Sequence, residues 1–139
     1  MAFQNPSNDK RRTILEEAKT IAVVGLSDNP ERTSNMVAQA LQNNGYRIIP
    51  VNPTIQEALG EKAYASLTEI TEPVDIVNVF RRSETVVPVA EEAAKIGAKT
   101  LWLQLGIYNE EAAKIAQDKG MNVIMDNCIK VDHALLVRR

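Results

Sequence analysis

The run Ile21-Ala22-Val23-Val24-Gly25 decides the fold. It is continuously apolar, rich in β-branched residues and free of the polar alternation that marks a sheet with one wet face, so it reads as a strand buried on both sides. From Leu26 to Thr33 the chain carries only turn chemistry, with Ser27, Asp28, Asn29 and Pro30 in succession. Ser34 then caps a helix bearing Val37, Ala40 and Leu41, and Asn44-Gly45 ends it. A second strand, Tyr46-Arg47-Ile48-Ile49-Pro50-Val51, closes at Asn52-Pro53. One β-loop-α-β unit is therefore legible in the first part of the chain.

The same pattern extends in both directions. Upstream, Asp9 to Lys19 reads as a helix with Ile14, Leu15 and Ala18 on one side. Downstream, the sequence predicts a short strand near Lys62 to Tyr64 and a helical turn around Ser66 to Ile70. Asp75-Ile76-Val77-Asn78-Val79-Phe80 is a strand, followed by Arg81-Arg82-Ser83 and a helix from Glu84 to Ile96, with Pro88 confined to its start. Thr100-Leu101-Trp102-Leu103-Gln104-Leu105 is another strand. Asn109 caps the next helix, which opens with Glu110 and Glu111 at its positive end and stops at Gly120. Asn122-Val123-Ile124-Met125 is the last strand, and a C-terminal helix begins near Lys130. Buried strands alternating with helices predict an α/β fold, a three-layer doubly wound Rossmann-like sandwich around a mainly parallel sheet of about five strands.

The chain has 139 residues, the length of one domain with one core, and the expected unit runs from 1 to 139. A hydrophobic share of 45% is ordinary for a globular protein. Sixteen basic residues against eighteen acidic ones leave a net charge of -2, so the footprint of a general nucleic-acid binder is missing. The single cysteine, Cys128, has no internal disulfide partner, and one histidine is too few for a usual structural zinc site. The segment Met1-Ala2-Phe3-Gln4-Asn5-Pro6 does not read as a secretory leader, and no uncharged apolar run approaches the roughly 18 residues needed to span a bilayer. The expectation is a soluble cytoplasmic protein with no metal and no membrane or nucleic-acid partner.

In doubly wound sheets ligands sit beyond the carboxyl ends of the strands. Those ends are Gly25 to Arg32, Asn52-Pro53, Phe80 to Ser83, Gln104 to Tyr108 and Asp126 to Cys128. The first loop sets backbone N–H groups and the positive end of a helix beneath its ligand, which suits a phosphate, with Arg32 as a cation and Ser27, Thr33 and Ser34 as hydroxyl donors. A plain β-α connection is the alternative. A dinucleotide fingerprint is missing, because from Gly25 the chain reads Gly-Leu-Ser-Asp-Asn-Pro, and Asn52-Pro53 stands where an acid would take the ribose of NAD. Arg81-Arg82 points a guanidinium toward a polyanion or lies in solvent, where Glu84 is a ready partner. Cys128 is a thiol beside the ligand or a small buried hydrophobe. His133 finds no nucleophile at a telling spacing and reads as a surface or capping residue, while Trp102 reads as core or interface. No catalytic residue is identified.

Taken together, the segments Ile21 to Ser27, Ile49 to Pro53, Pro73 to Arg82, Leu101 to Gly106 and Met125 to Lys130 resemble the small CoA-binding proteins that share the Rossmann-like domain of the succinyl-CoA synthetase alpha subunit. The resemblance covers about Arg11 to Leu136. It implies coenzyme A or an acyl-CoA held by Leu26, Ser27, Asp28, Asn29, Pro30 and Arg32, with Asn52, Pro53, Val79, Phe80 and Arg81 completing the groove. Asn127 departs from an arginine common before the cysteine, and Asp132 from a common glutamate. The synthetases' catalytic histidine and nucleotide-binding subunit lie outside what a chain of this length contains, so ligase activity is not implied.

The expected function is a non-catalytic CoA or acyl-CoA binding protein. A nucleotide-dependent enzyme, acyl-CoA or NAD-linked, with an unidentified catalytic residue is the alternative. A third reading is a protein-interaction domain whose apolar face lies between Leu101 and Tyr108, as a homodimer or with another protein.

Overall fold

A computed structural model describes residues 3–137; Met1, Ala2, Arg138 and Arg139, at the ends of the expected unit, lie outside the described residues. Five parallel strands form one sheet: β1 (Thr20–Val24), β2 (Arg47–Val51), β5 (Ile76–Val79), β6 (Thr100–Leu103) and β7 (Asn122–Ile124), in the order β2-β1-β5-β6-β7. A small antiparallel hairpin, β3 (Glu57–Ala58) and β4 (Glu61–Lys62), lies beside β2, and Tyr64 bridges Val51 in parallel. The sequence showed only a strand near Lys62 to Tyr64, because a two-residue strand is too short to display a period.

Helices cover both faces. One layer holds α1 (Asn8–Glu17), α2 (Thr33–Asn43) and α5 (Ile129–Leu136); the other holds α3 (Val86–Lys95) and α4 (Glu110–Asp118). Strand alternation feeds each layer in turn. Ile21, Val23, Ile48, Ile76, Trp102 and Ile124 face α1, α2 and α5, whereas Ala22, Val24, Ile49, Val77, Leu101 and Val123 face α3 and α4. Both sides of each strand are buried, which is why these segments read as continuous apolar runs.

The helix ends explain the differences from the expected boundaries. Ser7 caps α1 by accepting from Lys10 N at 3.2 Å, so the helix starts at Asn8 rather than Asp9. A 3-10 turn over Ser83–Thr85 precedes α3 and leaves Pro88 in its first turn, where the missing N–H is tolerated. Asn109 caps α4 as expected, accepting from Ala112 N at 2.9 Å. Ser34 is not the cap of α2: Arg32 holds that position, and the Ser34 hydroxyl accepts instead from Ser27 N at 3.0 Å. His133 is buried rather than at the surface, with its ring edge-on to Tyr46 at 5.6 Å between centroids.

Candidate functional site

In the order β2-β1-β5-β6-β7 the connections reverse direction between β1 and β5, and the crevice above that pair is where a doubly wound sheet takes its ligand. Gly25 closes β1 there. Its amide donates to Val51 O at 2.8 Å, and Phe80 N donates to Val24 O at 2.8 Å, so β2, β1 and β5 are tied together at their carboxyl ends. Gly25 has φ +86°, and a Cβ on it would lie 2.3 Å from Phe80 O. Glycine is thus demanded twice, by the backbone conformation and by the closeness of the β5 loop.

Beside Gly25 opens a groove of about 440 Å³, lined by Ser27, Asp28, Arg32, Thr33, Ser34, Asn52, Thr54, Ile55 and Phe80. The loop that walls it is fixed from within: Ser27 N donates to Ser34 Oγ, Asn35 Nδ2 donates to Ser27 O at 2.9 Å, and Asn29 N donates to Ser27 Oγ at 3.0 Å. Asn52 Nδ2 donates to Leu26 O at 3.0 Å, while its Oδ1 accepts from Thr54 N and Oγ1. The first turn of α2 has no side-chain cap, unlike α1 and α4, so its free N–H groups and positive end face the groove beside the exposed Arg32. This arrangement is chemically suited to a phosphate or diphosphate.

Across Gly25 lies a second pocket of about 370 Å³, walled by Val51, Pro53, Leu67, Arg81, Glu84, Pro88 and Glu92 among others. Its floor is apolar and its rim charged. Two depressions at the opposite edge of the sheet are poorer candidates. One, between Asp75, Lys99 and Asn122, holds only about 60 Å³. The other, of about 410 Å³, is lined by Leu15, Gly45 and Tyr46 at the carboxyl ends of α1 and α2, whose dipoles repel anions.

The structure therefore gathers Gly25, Ser27, Asp28, Arg32, Thr33, Ser34, Asn52 and Phe80 around one groove and sets Pro53 and Arg81 in the neighbouring pocket. Asn29 and Pro30 lie exposed on the loop, where the Asn29 Oδ1 accepts from Glu31 N at 2.9 Å. Leu26 and Val79 are fully buried in the core and line neither cavity. Cys128, half-buried, caps α5 rather than lining the groove. Sequence reasoning missed Thr54 and Ile55, which follow a turn, and the second pocket's wall of Ser66, Leu67, Glu84, Thr85 and Glu92, contributed by segments distant in sequence. It also missed Asn35, whose only signal was a polar residue on the apolar side of a helix.

A family model described as a CoA binding domain matches residues 19–134. The chain belongs to that family. Within it, the uncharacterized protein YneT of Bacillus subtilis is 59% identical over 133 residues, covering 96% of this chain and 98% of the relative. The solved structure of a hypothetical protein from Pyrococcus horikoshii OT3 superposes with a TM-score of 0.91 at 36% identity, covering 98% of this chain and 99% of the other. The ADP-forming 4-hydroxybutyrate–CoA ligase of Nitrosopumilus maritimus is 28% identical over 125 residues; that match takes in 81% of this CoA-binding domain but only 18% of the ligase.

Asn127 and Asp132, the two residues expected to depart from the family pattern, touch each other. Asn127 Nδ2 donates to Asp132 Oδ2 at 3.0 Å, and Arg11 Nε donates to the same oxygen at 3.0 Å. Both partners of the Arg11–Asp132 ion pair are largely buried, with side-chain exposures of 14% and 11%. The cation next to this carboxylate thus comes from α1. Among the described residues no helix is long and apolar enough to cross a membrane.

Proposed function

We propose that this chain is a cytoplasmic CoA or acyl-CoA binding protein without turnover of its own, acting as one unit over residues 1–139. The observation that carries the reading is the uncapped start of α2 opening, beside Arg32, onto the groove at the β1–β5 crevice. The 3′,5′-ADP part of CoA is a polyanion, and that end of the groove offers unfilled N–H donors, hydroxyls and a guanidinium. The second pocket, with its apolar floor, provides room for less polar parts of the same ligand.

The alternative ligand NAD is disfavoured by the same residues. The Asn52 carboxamide is spent on Leu26 O and on Thr54, which leaves no acidic acceptor at the end of β2 for a ribose diol. Ligase chemistry is not part of the proposal, because the chain corresponds to less than a fifth of the ligase it matches.

Titration calorimetry with CoA and with NAD tests the reading. CoA is expected to bind and NAD to bind much more weakly. Equal or tighter binding of NAD overturns it.

A further inference from the structure

The carboxyl ends of β1, β2 and β5 form a ridge with a cavity on either side, and residues adjacent in sequence line opposite cavities. Val24 lines the second pocket and Gly25 the first groove; Val51 and Pro53 line the pocket and Asn52, between them, the groove; Phe80 lines the groove and Arg81 the pocket. Successive Cα atoms are about 3.8 Å apart, so the walls of the two cavities adjoin. A ligand that crosses the ridge at Gly25 reaches both.

Each side of the ridge also carries a guanidinium to spare. Arg32 lines the groove, beside the uncapped start of α2. Arg81 lines the pocket, and its Cδ would lie 3.5 Å from a Cβ on Gly25, so its aliphatic stem rests over that glycine. Both residues are exposed, and neither side chain has a hydrogen bond or ion pair among the described residues. Carboxylates are at hand for Arg81, because Glu84 and Glu92 line the same pocket, yet each is engaged elsewhere. Glu84 Oε1 lies 3.5 Å from Arg82 Nε, and Glu92 Oε1 accepts from Leu67 N at 3.2 Å.

Two open cations parted by a ridge fit a ligand with two separate anionic groups, whereas a single diphosphate at the start of α2 satisfies Arg32 alone. CoA has a second group of this kind, the 3′-phosphate of its ribose, set apart from the 5′-diphosphate. Dephospho-CoA lacks it. Glu84 and Glu92 repel an anion from the interior of the second pocket, which leaves the rim over Gly25, where Arg81 stands, as the place for a phosphate on that side.

We infer that Arg81 reads the 3′-phosphate of CoA and so sets a preference for CoA over dephospho-CoA. This rests on the CoA reading above. The diphosphate lies at the start of α2 beside Arg32, the ribose crosses the ridge, and the 3′-phosphate meets the Arg81 guanidinium. Selectivity resides in one charge-assisted contact that dephospho-CoA cannot make, not in the groove that both ligands share.

The test is titration calorimetry at low salt with CoA and with dephospho-CoA, on the full chain and on Arg81→Ala, Arg81→Gln and Arg32→Ala, with circular dichroism checking the fold of each. The unsubstituted chain is expected to bind CoA roughly tenfold or more tightly than dephospho-CoA. Arg81→Ala and Arg81→Gln, the latter keeping a stem over Gly25, are expected to abolish that ratio by weakening CoA while leaving dephospho-CoA unchanged. Arg32→Ala is expected to weaken both ligands and preserve the ratio. Equal affinities in the unsubstituted chain, or a ratio that survives both Arg81 substitutions, overturns the assignment while leaving the CoA reading in place. No binding of CoA overturns both.

Discussion

Gly25 is the residue at which the site and the fold make the same demand. A side chain there meets both a positive φ and a carbonyl oxygen at 2.3 Å, so Gly25→Ala is expected to lower the unfolding free energy by about 2–4 kcal/mol, read as a fall in the urea midpoint. An unchanged midpoint would mean that the β5 loop gives way. Arg32 is exposed and its side chain forms no ion pair among the described residues, so on the proposed reading its guanidinium is available to the ligand. A charge-assisted contact to phosphate contributes on the order of 1.5–3 kcal/mol, so Arg32→Ala is expected to weaken CoA binding roughly ten- to a hundredfold in calorimetry at low salt, with circular dichroism unchanged. Arg81→Ala, across Gly25, is expected to cost roughly tenfold. Unaltered affinity in both variants would assign the arginines to solvent. Much of this groove was legible because its residues follow one strand and enter one helix. Asn35 and Thr54 were not, because their roles depend on which segments the fold brings opposite them.

At the scale of elements, the strands carry two anchoring devices. Asp75, just before β5, accepts from Lys19 N at 2.8 Å and Thr20 N at 2.9 Å and lies 3.4 Å from Lys99 Nζ, fixing the start of β1 against β5. Burial pushes its carboxyl up, but the two amides and Lys99 outweigh burial and hold it below the usual carboxylate range. A depressed folded value stabilises the native state above the unfolded pKa near 4, and that contribution fades as pH falls through the folded value. Asp75→Asn is therefore expected to cost about 1–3 kcal/mol at neutral pH and progressively less in acid, measured by denaturant titration across pH. A penalty independent of pH would contradict the assignment. The second device is Asn5, whose carboxamide donates to Met125 O and accepts from Met125 N, both at 2.8 Å, standing in for a neighbouring strand at the β7 edge. Asn5→Ala should cost about 1–2 kcal/mol and raise concentration-dependent association in light scattering. The apolar periods of Ile21 to Val24 and Thr100 to Leu103 announced the main strands; the Asn5 clasp and the β3–β4 hairpin were hidden because pairing by a side chain or over two residues leaves no period.

For the whole molecule, a ligand that binds only the native state adds stability by mass action. CoA at a hundredfold excess over its dissociation constant is expected to add about 2.7 kcal/mol and to raise the melting temperature by roughly 5–10 °C, while NAD at the same concentration leaves it nearly unchanged in scanning calorimetry. No shift with CoA would speak against the groove as its site. The resemblance to CoA-binding proteins and the strand pattern carried the architecture, while the path of α5 back across β6 emerged only from tertiary contacts. The position of β1 also has a consequence for synthesis. β1 pairs on one side with residues 47–51 and on the other with residues 76–79, and Ile14 and Leu15 of α1 share their apolar cluster with Ile129 of the last helix. A growing polypeptide that has emerged as far as residue 45 has no native sheet partner to meet. Until α5 leaves the ribosome α1 lacks part of its native cover, and Ile21 to Val24 emerges before either of its sheet partners. The order of these strands thus makes the time β1 spends unpaired depend on how quickly residues 47–79 follow it out of the ribosome.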